Sequence, residues 1–177
     1  NACQLNAVML TALNDVGELE ALLRDERLNV LLLGPGNGRD EATRAMVDAA
    51  LASGRDVVLD ADALTSHGDE AAALLQRMRA APGQIVLTPH DGEFARLFGH
   101  DISPSAGSRL QRARDAAAAC GGTVVSKGPD TVVAAPDGRA AIACHAPPWL
   151  ASAGAGDVLA GAIAALLAQG AAAFEAA

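Results

Sequence analysis

Short aliphatic runs alternate with longer amphipathic stretches along most of this chain, and polar or glycine-rich segments separate them. "NVLLLG" at 29–34 is a continuous aliphatic run ending in glycine, the pattern of a buried parallel strand. "DEATRAMVDAALASG" follows, with acids in its first turn and a glycine stop, which predicts a helix. "VVLD" at 57–60 reads as a second strand, and a helix from about Asp69 to Ala80 stops before Pro82. "IVLTPH" at 85–90 is a third strand, "DGEFARLFG" a short helix, "SRLQRARDAAAACGG" a longer helix and "TVVSKG" a fourth strand. "TVVAAPDGRAAIA" holds two β runs around Pro136-Asp137-Gly138, a turn composition that predicts a hairpin. A last helix opens in "LASAGAGDVLAGAIAALLAQG" at 150–170. Internal repeats, low-complexity linkers and interior boundaries are absent from the pattern, so residues 1–177 read as one domain.

Strand, loop and helix in repetition predict an α/β fold with a parallel sheet covered on both faces. Ligands bind such sheets outside the carboxyl ends of the strands. The loops at those ends are "GPGNG", "DADAL", "TPHDGE" and "KGPDT", so every polar, glycine-rich or titratable cluster falls on one edge. That coincidence points to a small-molecule site and an enzyme.

Composition narrows the class. The chain is 51% hydrophobic but only 2% aromatic, which suits helices packed closely on aliphatic strands. A net charge of −8 argues against nucleic acid, which wants a basic stripe. The longest charge-free run, from Val158 up to Glu175, is alanine-rich and falls short of the ~20 strongly apolar residues of a membrane span. No basic-then-apolar leader is visible, and Cys3, Cys120 and Cys144 read as reduced thiols of a cytoplasmic protein. Cys144-His145 lacks a second ligand pair and makes a poor metal site. Twelve arginines stand beside a single lysine, Lys127, a compact point charge suited to a phosphate oxygen.

In "ASAGAGDVLAG", glycines let consecutive N–H groups converge, and a helix starting there adds about half a positive charge, which together form an anion hole. The spacing is neither the Walker pattern nor the dinucleotide fingerprint. Asp157 beside that hole is placed to take a proton from an attacking hydroxyl, although an aspartate there could also simply cap a helix. "GPGNG" permits close backbone approach to a ligand or is a plain tight turn. His90 could hydrogen-bond a ligand amide or phosphate, or cap the helix that starts at Asp91. One acid of "DADAL" suits magnesium through water and the other a helix cap, while His67 and His100 receive no role.

With these clusters in order, the chain resembles the ADP/ATP-dependent NAD(P)H-hydrate dehydratases of the ribokinase-like superfamily. The resemblance lies in "LLLGPGNG", "VVLDADAL", "VLTPHDGEFARLFG", "KGPDTVVAAPDG" and "APPWLASAGAGDVLAGAIAALLAQG", and covers nearly the whole chain. It implies a three-layer α/β/α fold with a mostly parallel central sheet. It implies nucleotide binding by Lys127, Gly128, Pro129, Asp130 and Thr131, with Gly154, Ala155 and Gly156 at the phosphates. Gly36, Gly38, His90 and Asp157 would contact the substrate, hydrated NADH or NADPH (NADHX or NADPHX), with Asp157 as the catalytic base. The implied reaction phosphorylates the substrate hydroxyl from ADP or ATP with Mg2+, and phosphate then leaves. Against the family pattern the chain looks shortened at both ends, and Ala143 or His145 stands where an asparagine commonly precedes Pro-Pro-Trp. A small-alcohol kinase and a nucleotide-binding remnant without turnover are the alternatives. Exposed alanine-rich helix faces would suit a homo-oligomer, and neither a nucleic-acid nor a membrane partner is expected.

Overall fold

The computed structural model describes residues 8–102 and 107–177, with the side chains of 100–102 left out; Cys3 and the His100 side chain lie outside the described residues. In chain order the elements are α1 (Val16–Leu22), β1 (Val30–Leu33), α2 (Glu41–Ala52), β2 (Asp56–Leu59), α3 (Ala61–Thr65), α4 (Ala71–Ala80) and β3 (Ile85–Leu87). They continue with α5 (Asp91–Ile102), α6 (Arg109–Cys120), β4 (Thr123–Ser126), β5 (Thr131–Ala134), β6 (Ala140–Ala143), α7 (Ala155–Ala168) and α8 (Ala173–Ala176). Helix starts follow local chemistry. Asp15, Asp40 and Ser108 are extended and accept the backbone N–H of Glu18, Thr43 and Gln111, satisfying donors that a first turn leaves free. The helix expected from Asp69 begins as a 3-10 turn at Gly68–Glu70, and α5 kinks at Gly99, where φ is +53°. Sequence patterning overlooked α1, α3 and α8, which are too short to show a period.

The six strands lie in the order β1-β2-β3-β4-β5-β6, the first four parallel and the last two antiparallel. The hairpin at Pro136-Asp137-Gly138 is the β5–β6 turn, closed by Gly138 N–H on the Ala135 carbonyl and with φ +90° at Gly138. Neighbouring parallel strands joined by right-handed crossovers place every crossover helix on the same side of a sheet. Accordingly α2, α4, α5 and α6 bury Val47, Leu74, Met78, Phe98 and Ala117 against Val57, Leu59 and Leu87. Alternate strand residues Val58, Val86 and Val125 face the other way and meet Ala160, Ile163 and Leu167 of α7, with Ala176 of α8. Both faces are covered, as the sequence predicts, but very unequally.

This winding positions the site. The strand order does not reverse between β1 and β4, so the crossover helices alone open no crevice there. Instead α7 packs on β1 and β2 from the opposite face and brings its N-terminal turn to the carboxyl edge of the sheet. Among the described residues no helix is long and apolar enough to cross a membrane.

Candidate active site

Each parallel strand hands over to a loop whose shape its sequence dictates. After β1, Gly34 has φ +131°, and a Cβ there would overlap the Asp60 carbonyl oxygen. Asn37 closes the turn with its N–H on the Gly34 carbonyl at 3.1 Å. Gly36 and Gly38 have φ of +74° and +82°, and their missing side chains face open space. The Gly38 N–H donates to Asp62 Oδ2 at 3.1 Å, and Arg39 Nε to Asp62 Oδ1 at 3.3 Å, which fastens this loop to α3. Between the two acids, Ala61 has φ +46°, a strained backbone for a residue with a side chain.

The acids of "DADAL" therefore divide their work. Asp62 ties down the glycine loop. Asp60 occupies the N-cap position of α3 but makes no side-chain cap. Its Oδ1 accepts instead from Lys127 Nζ at 2.8 Å, an ion pair across the sheet in which the Asp60 side chain is 2% exposed and that of Lys127 20%.

After β3, Pro89 has no N–H for the ladder, yet its carbonyl accepts the Lys127 N–H at 2.9 Å and His90 bridges Lys127 in parallel register. His90 then forms a reciprocal cap with the residue three positions on. Its Nδ1 accepts from the N–H groups of Gly92 and Glu93 at 3.0 and 3.2 Å, while Glu93 Oε2 accepts the His90 N–H at 2.8 Å. An accepting Nδ1 leaves the ring proton on Nε2, which faces Glu93 Oε1 at 3.2 Å. The helix-capping alternative for His90 is thus present, and Nε2–H is the only donor the neutral ring offers a ligand. Glu93 is buried, with Oε2 4.0 Å from Lys127 Nζ.

After β4, the "KGPDT" turn is braced by Arg109 of α6. Its guanidinium donates to the Lys127 carbonyl at 3.1 Å and pairs with Asp91 Oδ2 at 2.7 Å. A Cβ on Gly128 would displace that guanidinium, the far end of a flexible side chain. Thr131 Oγ1 donates to the Gly128 carbonyl at 3.2 Å, and Pro129 and Asp130 are exposed.

The fourth contribution is the start of α7. Gly154 is its N-cap at φ +87°, with no side-chain cap. Asp157 is thus not the cap that the sequence left open; it lies in the first turn, exposed, with no side-chain hydrogen bond among the described residues. No acceptor among the described residues takes the N–H of Gly156 or Asp157, as the first turn of a helix requires. A Cβ on Gly156 would be 3.3 Å from Lys127 Nζ, so the one lysine of the sequence stands directly beneath this turn. Next to this centre a cleft of about 280 Å³ opens between Arg39, Asp62 and Thr65 on one side and His90, Glu93 and Arg96 on the other.

The structure thus gathers Lys127, His90 and Gly156 at one edge and leaves Pro129, Asp130 and Asp157 open beside them. Sequence reasoning missed Glu93, Arg109 and the pairing of Asp60. Of these only Glu93 left a readable trace, as an acid three residues after a helix-starting position.

The profile of the NAD(P)H-hydrate dehydratase family matches residues 1–177. The chain is 44% identical over 151 residues to the bifunctional NAD(P)H-hydrate repair enzyme Nnr of Mycobacterium tuberculosis, covering 85% of this chain and 30% of that protein. It is 37% identical over 160 residues to the ADP-dependent (S)-NAD(P)H-hydrate dehydratase of Neisseria meningitidis serogroup B, covering 89% of this chain and 53% of that one. The backbone matches the ADP/ATP-dependent NAD(P)H-hydrate dehydratase from Bacillus subtilis co-crystallised with ATP/Mg2+, with a TM-score of 0.65 and 31% identity over 79% of this chain and 47% of that chain. A ribokinase-like superfamily protein of Enterococcus faecalis matches with a TM-score of 0.69 and 28% identity, over 87% of this chain and 52% of that chain. The chain spans less than a third of the bifunctional relatives and about half of the matched structures.

Proposed function

The chain belongs to the NAD(P)H-hydrate dehydratase family, and from that premise we propose that it uses ADP or ATP to return hydrated NADH or NADPH to the intact cofactor. In this reading the substrate hydroxyl attacks the terminal phosphoryl group of the nucleotide, loses its proton to Asp157 and displaces AMP (from ADP) or ADP (from ATP). The resulting phosphate ester then expels phosphate while the adjacent ring carbon gives up a proton, and the ring double bond re-forms. The observation that carries the reading is the placement of Lys127 beneath Gly156, at the start of a 14-residue helix in which the Gly156 and Asp157 N–H groups meet no acceptor among the described residues. An ammonium, free amide donors and the positive end of a helix are the groups a transferring phosphoryl needs.

Asp157 extends from the same turn into solvent, and its uncommitted carboxylate accepts the hydroxyl proton. Lys127, Gly128, Pro129, Asp130 and Thr131 follow the nucleotide, and Gly154, Ala155 and Gly156 enclose its phosphates. Gly36, Gly38 and His90 border the substrate, with His90 acting as a donor through Nε2. Magnesium belongs to the reading as the companion of the nucleotide. Among the described residues no three His, Cys, Asp or Glu side chains gather as ligands, so the ion would be held chiefly by phosphates and water. A cytoplasmic location fits the unpaired Cys120 and Cys144.

The test is recovery of dihydronicotinamide absorbance from NADHX or NADPHX with magnesium and either ADP or ATP. Nucleotide-dependent recovery is expected, together with a loss of about 10²–10⁴-fold in Asp157→Asn at little change in nucleotide affinity. Wild-type turnover in that variant would remove Asp157 from the chemistry.

A further inference from the structure

A buried carboxylate beneath a phosphate hole needs a reason. Asp60 Oδ2 would lie 3.9 Å from a Cβ on Gly156, almost as near the turn as the lysine, so its charge opposes any phosphate that binds there. If charge alone mattered, the site would bind anions better without it.

Geometry supplies the reason. Lys127 is the last residue before the β4–β5 turn, and its flexible four-carbon stem would otherwise carry the ammonium out to solvent. Two carboxylates hold it inward, Asp60 Oδ1 from the end of β2 at 2.8 Å and Glu93 Oε2 from the first turn of α5 at 4.0 Å. Both acids are anchored, Asp60 through its backbone and its burial and Glu93 through its carboxylate. The Asp60 N–H donates to the Leu33 carbonyl at 3.0 Å, its own carbonyl accepts from Ala63 at 3.1 Å, and Gly34 packs on that carbonyl. Glu93 Oε2 takes the His90 N–H at 2.8 Å, and its Oε1 faces His90 Nε2 at 3.2 Å. The lysine is therefore the moving part and the acids are the frame.

We propose that Asp60, backed by Glu93, is a positioning residue that holds the Lys127 ammonium under the N-terminal turn of α7, where it meets the phosphate of the nucleotide. This rests on the nucleotide reading above. It opposes simple electrostatics in sign, because neutralising Asp60 removes a negative charge from a phosphate site and yet weakens binding.

The measurement is calorimetric titration of MgADP into wild type, Asp60→Asn, Lys127→Met and the double variant, with KM for ADP and for NADHX alongside. Asp60→Asn is expected to weaken MgADP by about tenfold or more, the scale of one charge-assisted contact. KM for ADP should rise while KM for NADHX stays within about twofold, a split that general damage to the fold would not produce. In the Lys127→Met background the same substitution should cause no loss and should leave binding equal or tighter, because without the lysine only the opposing charge of Asp60 remains. Equal or tighter MgADP binding in Asp60→Asn would overturn the proposal, as would a full additional loss in the double variant. If Asp60→Asn strands its buried ammonium and fails to fold, the uncharged double variant against Lys127→Met decides: equal or tighter affinity supports the proposal and a weaker double variant overturns it. A wild-type protein that does not bind MgADP would remove the nucleotide reading and this inference together, whereas binding insensitive to Asp60 removes the inference alone.

Discussion

His67 stands apart from the site and shows how a single residue can set a property of the whole protein. Its ring is fully buried. Nδ1 lies 3.1 Å from the Ala63 carbonyl and 3.0 Å from Ser66 Oγ, while Nε2 has no hydrogen-bond partner among the described residues and is 4.0 Å from Asp48 Oδ1. Burial, which penalises the imidazolium, pushes its pKa below the ordinary value despite the Ala63 carbonyl. The unfolded chain then takes up a proton near pH ~6.5, whereas the folded protein takes it up only at lower pH. Stability from this group is complete above that point and declines as pH falls below it. Denaturation midpoints measured between pH 7.5 and 5.5 should fall more steeply in wild type than in His67→Gln, and parallel slopes would clear His67. The sequence marked His67 only as a histidine in a turn-like stretch, because its surroundings come from elsewhere in the chain: Asp48 of α2, 4.0 Å from Nε2, pairs with Arg77 of α4 at 2.8 Å.

At the scale of elements, the glycines of the β1–α2 loop look alike in sequence and differ in cause. Gly34 answers both to its backbone, at φ +131°, and to the Asp60 carbonyl packed against it. Gly38 answers only to φ, at +82°, in open space. Gly34→Ala should therefore cost upwards of about 3 kcal/mol, strain plus displaced backbone, and Gly38→Ala about 1–2 kcal/mol. Urea titration of the two variants distinguishes them, and equal costs would mean that the carbonyl yields freely. The same elements show what a motif conceals. "GPGNG", "DADAL" and "TPHDGE" each announce a functional loop, but the roles within them come from partners on other strands. Asp60 and Asp62 are separated by one residue, and one meets a lysine while the other meets a glycine N–H.

Over the whole molecule, the sheet is clad unevenly, by the crossover helices α2 to α6 on one face and by α7 with α8 on the other. Leu87, central in the sheet and fully buried, belongs to the thicker side, whereas Ile142 on edge strand β6 is 51% exposed. Leu87→Ala should cost about 2–5 kcal/mol, and Ile142→Ala within about 0.5 kcal/mol of zero. Chemical denaturation of both variants checks this, and a large loss at Ile142 would show that its edge packs against something else in solution. The thin face also makes the site depend on a late element. α7 must arrive from the far side of the sheet before Lys127 has a turn to stand beneath.

Local physics was readable in the residues themselves. Aliphatic runs specified the six strands, Asp40 and Ser108 marked the starts of α2 and α6, and proline with glycine placed the hairpin, because each depends on neighbours a few positions away. The edge of the sheet where the candidate residues gather followed from the rule for parallel strands. What the chain could not announce was who meets whom across 67 positions, as Asp60 and Lys127 do. Strand order and the path of α7 decide that, and they are settled by the burial of two apolar faces at once, a free energy that belongs to the assembled sheet and to no single segment.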